Sequence, residues 1–129
     1  MKVDWLSMNN NKELGKWGEN KARKYLEEKG IVILGINQRT HYGELDIIGQ
    51  DDGQIIFFEV KTRQSDSFGF GEESVSWAKQ EHLVNSAEEY IQGHPDLGED
   101  WRIDVVVIDG SPTDLKIVIR WFKNAVSGS

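Results

Sequence analysis

At 129 residues, with no cysteine and a formal net charge of −7, the chain has room for one domain and excludes disulfide scaffolds and thiolate metal sites. Hydrophobic residues make up 38% of it, enough for a compact core, yet no apolar run approaches the roughly 18 residues that a membrane span requires. Residues 1–12 lack an apolar stretch behind a basic start, so no signal peptide is expected, and a cysteine-free chain fits a reducing, cytoplasmic setting.

Residues 12–29 read as a helix. Leu14, Trp17, Ala22, Tyr25 and Leu26 recur at helical spacing, and Gly30 follows as a stop signal. Gly15 and Gly18 fall on or beside that stripe, where glycine weakens a helix, so close backbone approach is expected there. Residues 31–36 are a short β-branched run, read as a strand. Residues 44–49 and 54–63 are two more, separated by Gln50-Asp51-Asp52-Gly53, in which Asp-Gly is a strong hairpin signal. Residues 64–71 form a polar loop that Phe68 and Phe70 anchor. Residues 73–92 read as a second helix with Leu83, Val84, Ala87, Tyr90 and Ile91 as its stripe. A loop over 93–100 leads to strands at 102–109 and 115–122, joined across Gly110-Ser111-Pro112. The ends, 1–10 and 127–129, are expected to fray. The order helix, three strands, helix, two strands predicts an α/β fold with a mixed sheet flanked by helices, in a single domain over 1–129 with its core at about 12–126.

The chemistry concentrates on the second and third strands. Alternation puts Ile56, Phe58, Val60 and Thr62 on one face of the third strand and Ile55, Phe57, Glu59, Lys61 and Arg63 on the other. On the second strand Glu44, Asp46 and Ile48 share a face, against Leu45 and Ile47. If Asp52-Gly53 is a two-residue loop, Asp51 pairs with Gln54, which sets Asp46 directly opposite Glu59 and Glu44 opposite Lys61. Opposed carboxylates repel, so one takes up a proton unless a cation lies between them. Two carboxylates with a free edge suit Mg²⁺, with water completing its shell. Such an ion polarises a phosphoryl oxygen and acidifies a bound water, and Lys61 beside it orients that water or meets the growing charge. A glycosidase acid–base pair leaves the lysine unexplained. Glu19, on the flank of the first helix, is either a surface glutamate or a further ligand. Gln80, inside the second helix's stripe, is either a core amide bonded to backbone or a helper of the site, and Lys79 lies at the stripe's edge. His41, His82 and His94 share no metal-ligand spacing, and Trp5, Trp77 and Trp101 carry no motif.

Taken in order, Leu14-Gly15-Lys16-Trp17-Gly18-Glu19, Asn37-Gln38-Arg39-Thr40, Tyr42-Gly43-Glu44-Leu45-Asp46-Ile47-Ile48 and Phe57-Phe58-Glu59-Val60-Lys61-Thr62-Arg63 resemble the YraN family, also called UPF0102. Phe68-Gly69, Arg102-Ile103-Asp104-Val105-Val106 and Asn124-Ala125 continue the match, over roughly residues 13–126. That family is similar to the PD-(D/E)xK nucleases, near the archaeal Holliday-junction resolvases. The resemblance implies a restriction-endonuclease-like core. It implies a Mg²⁺ or Mn²⁺ held by Glu19, Asp46, Glu59 and the carbonyl of Val60, with Lys61 as catalytic lysine and Gln80 at the helper position. By analogy with resolvases it also implies a homodimer. Leu45 stands where the proline of the superfamily motif would be.

The expected function is therefore a metal-dependent endonuclease cutting the phosphodiester bonds of branched or structured DNA. Charge weighs on this reading. Residues 1–63 hold ten Lys/Arg and ten Asp/Glu, whereas residues 64–129 hold five and twelve. A nucleic-acid-binding module with a vestigial site, or a protein-interaction domain using the acidic second half, are the alternatives.

Overall fold

A computed structural model of the chain describes residues 11–64 and 75–126. Phe68, Phe70, Glu73, Trp5 and the two ends lie outside the described residues. Helix α1 (Asn11–Glu28) leads into β1 (Val32–Thr40), β2 (Gly43–Asp51) and β3 (Gln54–Arg63). Helix α2 (Trp77–Gly93), a 3-10 turn (Pro95–Leu97), β4 (Trp101–Asp109) and β5 (Val118–Val126) follow. The strands form one sheet in the order β1-β2-β3-β4-β5. Hairpins make antiparallel neighbours of β1–β2, β2–β3 and β4–β5, while α2 carries the chain over to β4, which runs parallel to β3.

The sheet is apolar on both faces, so each face must be covered. On one, Ala22 and Leu26 of α1 pack over Ile47, Ile56, Phe58, Val106 and Ile108. On the other, Leu83, Ala87 and Ile91 of α2 pack over Leu45, Ile48, Ile55, Phe57 and Ile103. Phe57 meets Tyr90 and Trp101 edge-on, each at 5.7 Å between ring centroids. Phe58 meets Trp121 in the same manner at 5.9 Å. Such pairs contribute about 0.5–1.5 kcal/mol each beyond the area they bury.

Three predicted boundaries are corrected. β1 runs on to Thr40, because Gln38, Arg39 and Thr40 pair with β2 although their polar side chains carry no strand signal. α2 begins at Trp77, where the Ser76 hydroxyl caps it by accepting from Lys79 N, so Val75 and Ser76 are not helical. β5 begins at Val118 because the Asp114 carboxylate accepts from Ser111 N at 2.8 Å and prolongs the turn, leaving Leu115 wholly exposed.

Of the two glycines of α1, Gly18 is the one in close approach. A methyl group there would overlap the Thr62 hydroxyl of β3, whereas one at Gly15 would meet nothing within 4 Å. Gly18→Ala is expected to destabilise the protein by about 1–3 kcal/mol through overpacking. Gly15→Ala, three residues away, should instead stabilise it by up to about 1 kcal/mol through helix propensity. Urea denaturation of the pair measures both; equal effects at the two positions would refute the packing argument.

Asp104 of β4 is fully buried yet fully met. Arg102 donates to it through Nε at 2.9 Å and Nη2 at 3.1 Å, Trp121 through Nε1 at 2.9 Å, and the backbone N of Asn124 at 2.7 Å. Asn124 has φ 54°, and the β4–β5 register shifts between Ile103 and Val105, so the carboxylate receives the amide that the shifted ladder leaves over. Replacing Asp104 by Ala would strand the guanidinium and that amide, at an expected cost of about 3–5 kcal/mol by chemical denaturation. A loss below about 1 kcal/mol would show that water replaces the carboxylate.

Candidate active site

The β2–β3 hairpin holds the register that Asp52-Gly53 predicts. Asp51 pairs with Gln54 across left-handed Asp52 (φ 53°) and Gly53 (φ 84°), and the ladder continues to Ile47↔Phe58. There it stops. Asp46 is therefore not backbone-paired with Glu59, nor Glu44 with Lys61; Glu44 pairs with Arg39 on β1. The cause lies on β1. Asn37 takes a left-handed conformation (φ 49°), which asparagine tolerates, and the β1–β2 ladder passes from Ile36↔Ile47 to Gln38↔Leu45 without pairing Asn37 and Asp46. The phase of β2 shifts at this point. Leu45 joins Ile48 under α2, while Ile47 faces α1, so the strict alternation expected of Leu45 and Ile47 fails at Asp46.

Where the strands part, the Asp46 side chain takes over from the ladder: its Oδ2 accepts from Val60 N at 2.9 Å. On β3 the alternation holds. Val60 packs toward α1 and Thr62 lies against Gly18, so Glu59 and Lys61 face the α2 side. The carboxyl of Glu59 is buried; Lys79 Nζ of α2 lies 3.3 Å from its Oε2. Its Oε1 is enclosed without a hydrogen-bond partner among the described residues. Lys61 is half-buried on the same face, two residues on.

Glu19 approaches from the other side of the sheet. The contact of Gly18 with Thr62 brings this turn of α1 down onto β3, and Asn37 Nδ2 holds Glu19 Oε1 at 3.0 Å. Glu19 and Asn37 also line an open groove of about 510 Å³, with Lys16, Trp17, Asn20 and Arg23 along it. Gln80 is turned to its own helix start, its Nε2 donating to the Val75 carbonyl at 2.8 Å. That is the backbone-bonded alternative of the two readings of this residue.

Burial, then the charge of Glu59 and, more weakly, that of Glu19, push the Asp46 carboxyl up from 3.8 to about 8, against the Val60 amide and the Lys79 ammonium, which pull it down. Lys79 alone does not offset the burial and the neighbouring acids. Among the described residues no three carboxylates or imidazoles converge on one point as the side chains stand. Mg²⁺, however, is commonly bound through one or two carboxylates, with water in the remaining positions. Asp46 and Glu59, one electrostatically frustrated and the other with an orphaned buried oxygen, fit that requirement. Glu19 would have to turn from Asn37 to join them.

Sequence reasoning places Asn37 within a motif run and Lys79 at the edge of a stripe, but assigns neither a role. Asn37 stands in the Asn37-Gln38-Arg39-Thr40 run, but only its backbone conformation shows why an asparagine is there. Lys79 could have been noticed as a cation in the first turn of a helix, where the macrodipole favours an anion.

The model of the uncharacterised protein family UPF0102 matches residues 18–108, a span that contains Glu19, Asp46, Glu59, Lys61 and Lys79. The chain belongs to the UPF0102 family. A UPF0102 protein of Sulfurihydrogenibium sp. is 43% identical over 97 residues, 75% of this chain and 84% of that one. One of Dehalococcoides mccartyi is 40% identical over 117 residues, covering 91% and 95%, and one of Vibrio parahaemolyticus is 36% identical over 117 residues, covering 90% and 93%. A solved structure, Pyrococcus furiosus SfsA in complex with Ca²⁺, aligns with 92% of this chain and 65% of its own at 18% identity and a TM-score of 0.43, a likeness too loose to build on. No helix among the described residues of this UPF0102 chain is long and apolar enough to cross a membrane.

The raised Asp46 fixes a pH dependence. A carboxyl that holds its proton more tightly when folded gives stability that is fully present below its unfolded pKa and lost as pH rises through the folded one. Without divalent cations, the contribution of Asp46 should therefore fall away between about pH 4 and pH 8. Melting of wild type and Asp46→Asn in EDTA across this range should diverge as pH rises, with the variant relatively more stable at pH 8. Parallel profiles would show that Asp46 titrates normally.

Proposed function

We propose that this UPF0102 chain is a metal-dependent nuclease of the PD-(D/E)xK kind, built on a restriction-endonuclease-like core, that hydrolyses phosphodiester bonds of branched or otherwise structured DNA. The observation that carries the reading is the convergence of Asp46 and Glu59 where β2 and β3 part, with Lys61 on the same face and one buried oxygen of Glu59 without a donor.

Asp46 and Glu59, with the carbonyl of Val60 and a reoriented Glu19, would hold Mg²⁺ or Mn²⁺. Such an ion, when bound, supplies Lewis acidity to a phosphoryl oxygen and lowers the pKa of a water. The chain's own residues supply position and charge. The Val60 amide fixes one Asp46 oxygen and leaves the other to the cleft. Phe57, on the same face of β3 as Glu59, keeps bulk water from the buried side of that carboxylate. Lys61, on a central strand paired along its length with β4, holds its ammonium on a rigid support, where it orients the attacking water or meets the charge building on phosphate oxygens. Gln80 fixes the start of α2 through Val75.

A preference for structured DNA follows from the charge distribution. The exposed lysines Lys12, Lys16, Lys21 and Lys24 all stand on α1, whose Lys16 and Arg23 line the groove together with Glu13 and Glu19, whereas the second half of the chain is strongly acidic. Few phosphates can be met at once, so long plain duplex gains little from such a surface.

Cleavage of a panel of duplex, flap, forked and four-way DNA with millimolar Mg²⁺ or Mn²⁺ tests the proposal. Asp46→Asn, Glu59→Gln and Lys61→Ala are each expected to lower the rate by about 10²-fold or more. Metal at 100 times its dissociation constant should stabilise the wild type by about 2.7 kcal/mol. Asp46→Asn and Glu59→Gln should lose this gain, and Lys61→Ala should keep it. A wild type showing neither a metal-induced melting shift nor cleavage would overturn the nuclease reading in favour of an interaction domain.

A further inference from the structure

Lys79 is the residue that the nuclease reading leaves without a task. It stands in the first turn of α2, its backbone N donating to the capping Ser76 hydroxyl. A cation at that position opposes the helix macrodipole, and α2 has no acidic side chain in its first turn to offset it. The compensation comes from elsewhere. The ammonium reaches 3.3 Å from Glu59 Oε2, on a carboxyl that is only 7% exposed and whose second oxygen has no partner among the described residues. The Lys79 side chain itself is 46% exposed, so it enters the site from solvent and can leave it again without unpacking the core.

A buried carboxylate, Glu59, beside the half-buried Asp46 needs positive charge close by, and without a divalent ion Lys79 supplies it. An ion and an ammonium on the same carboxyl compete for the same oxygens and repel each other. We propose that Lys79 is a built-in counter-ion of the site: it neutralises Glu59 in the metal-free protein and is displaced when a divalent cation binds. The proposal rests on the metal-binding reading of Asp46 and Glu59. Displacement returns an ammonium to the rim of the cleft, on the side of the sheet that carries Lys61. It is then available to a phosphate oxygen of a bound nucleic acid. Metal loading and phosphate binding would thereby favour one another, as any two ligands do when one releases what the other needs.

The competition has a signature that a packing role lacks. A side chain that only packs supports the metal-free and the metal-loaded protein alike. A counter-ion supports only the first. Calorimetric titration with Mn²⁺ alone, together with melting in EDTA and in saturating Mn²⁺, separates the two for wild type, Lys79→Met, Lys79→Arg and Glu59→Gln.

Lys79→Met is expected to melt lower than wild type in EDTA, to equal it in saturating Mn²⁺, and to bind Mn²⁺ about fivefold more tightly or better, the scale of a half-exposed ion pair removed as competitor. Lys79→Arg, which keeps the charge, should restore wild-type affinity. Glu59→Gln should lose Mn²⁺ binding whatever stands at position 79. A Lys79→Met chain that folds only with Mn²⁺ present would be the extreme form of the same result. Equal or weaker Mn²⁺ binding by Lys79→Met, or an equal loss of melting temperature with and without metal, would overturn the counter-ion role while leaving the metal site standing. Failure of both wild type and Lys79→Met to bind Mn²⁺ would overturn the metal reading and this proposal with it.

Discussion

The parting of β2 from β3 at Asp46 is the constraint on which the rest of the structure depends. A sheet that stayed zipped would pair the backbone of Asp46 with that of Glu59 and hand the Val60 amide no side chain. Instead the ladder ends at Ile47↔Phe58, and a carboxylate takes the place of a strand. Backbone amides must find acceptors, so an acid at this position is part of the fold before it is part of any chemistry. The arrangement withdraws the Asp46 carboxyl from water and holds it close to Glu59, and these, in that order, raise its pKa.

Several contacts exist to keep that opening in shape. On one face the missing side chain of Gly18 lets α1 settle onto Thr62, and Glu19 follows one residue later. On the other face the β1–β2 hairpin is tied to α2. Thr40 Oγ1 meets Ser86 Oγ at 2.8 Å, and Glu89 Oε1 accepts from His41 N at 3.1 Å. These ties matter because β1 and β2 leave the β3–β4 pair beyond Ile47 and would otherwise have only each other. β3, by contrast, is paired with β4 as far as Arg63, where Asp109 bridges Arg63 Nε and Arg120 Nη2 at 2.9 and 2.7 Å. The lysine at position 61 thus stands on the stiffest part of the sheet, and the acid at 46 on the part that bends.

The formal charge of −7 is less of an obstacle to nucleic-acid chemistry than its sign suggests, because it is unevenly spread. Lys16 and Arg23 of α1 line the groove that holds Glu19, while Asp104 and Asp109 are paired within the fold with Arg102 and with Arg63 and Arg120. An acid bonded to arginine or backbone within the fold projects little field into solvent. The same holds for Glu59 and Lys79, whose pairing lowers the negative potential of the cleft itself.

The sequence by itself determined the element order, the Asp52-Gly53 turn with its register, the facing of Glu59 and Lys61, and the family. Each of these rests on local rules: side-chain period, turn conformation, and runs of residues read in order. Even the close approach at Gly18 was legible as an unfavoured glycine on an apolar stripe, although the same reasoning misled at Gly15. What only the tertiary structure decided is where alternation fails. Nothing in Glu44-Leu45-Asp46-Ile47 announces that Leu45 turns to the α2 side, because the cause is a left-handed Asn37 on the neighbouring strand. Nor does an apolar stripe on α2 reveal that Lys79 reaches Glu59, since the two are brought together by a crossover and not by spacing. Periodicity reports what one strand or helix does alone; the placing of charges at a seam is set by how neighbouring elements diverge, and that is a property of the packed sheet.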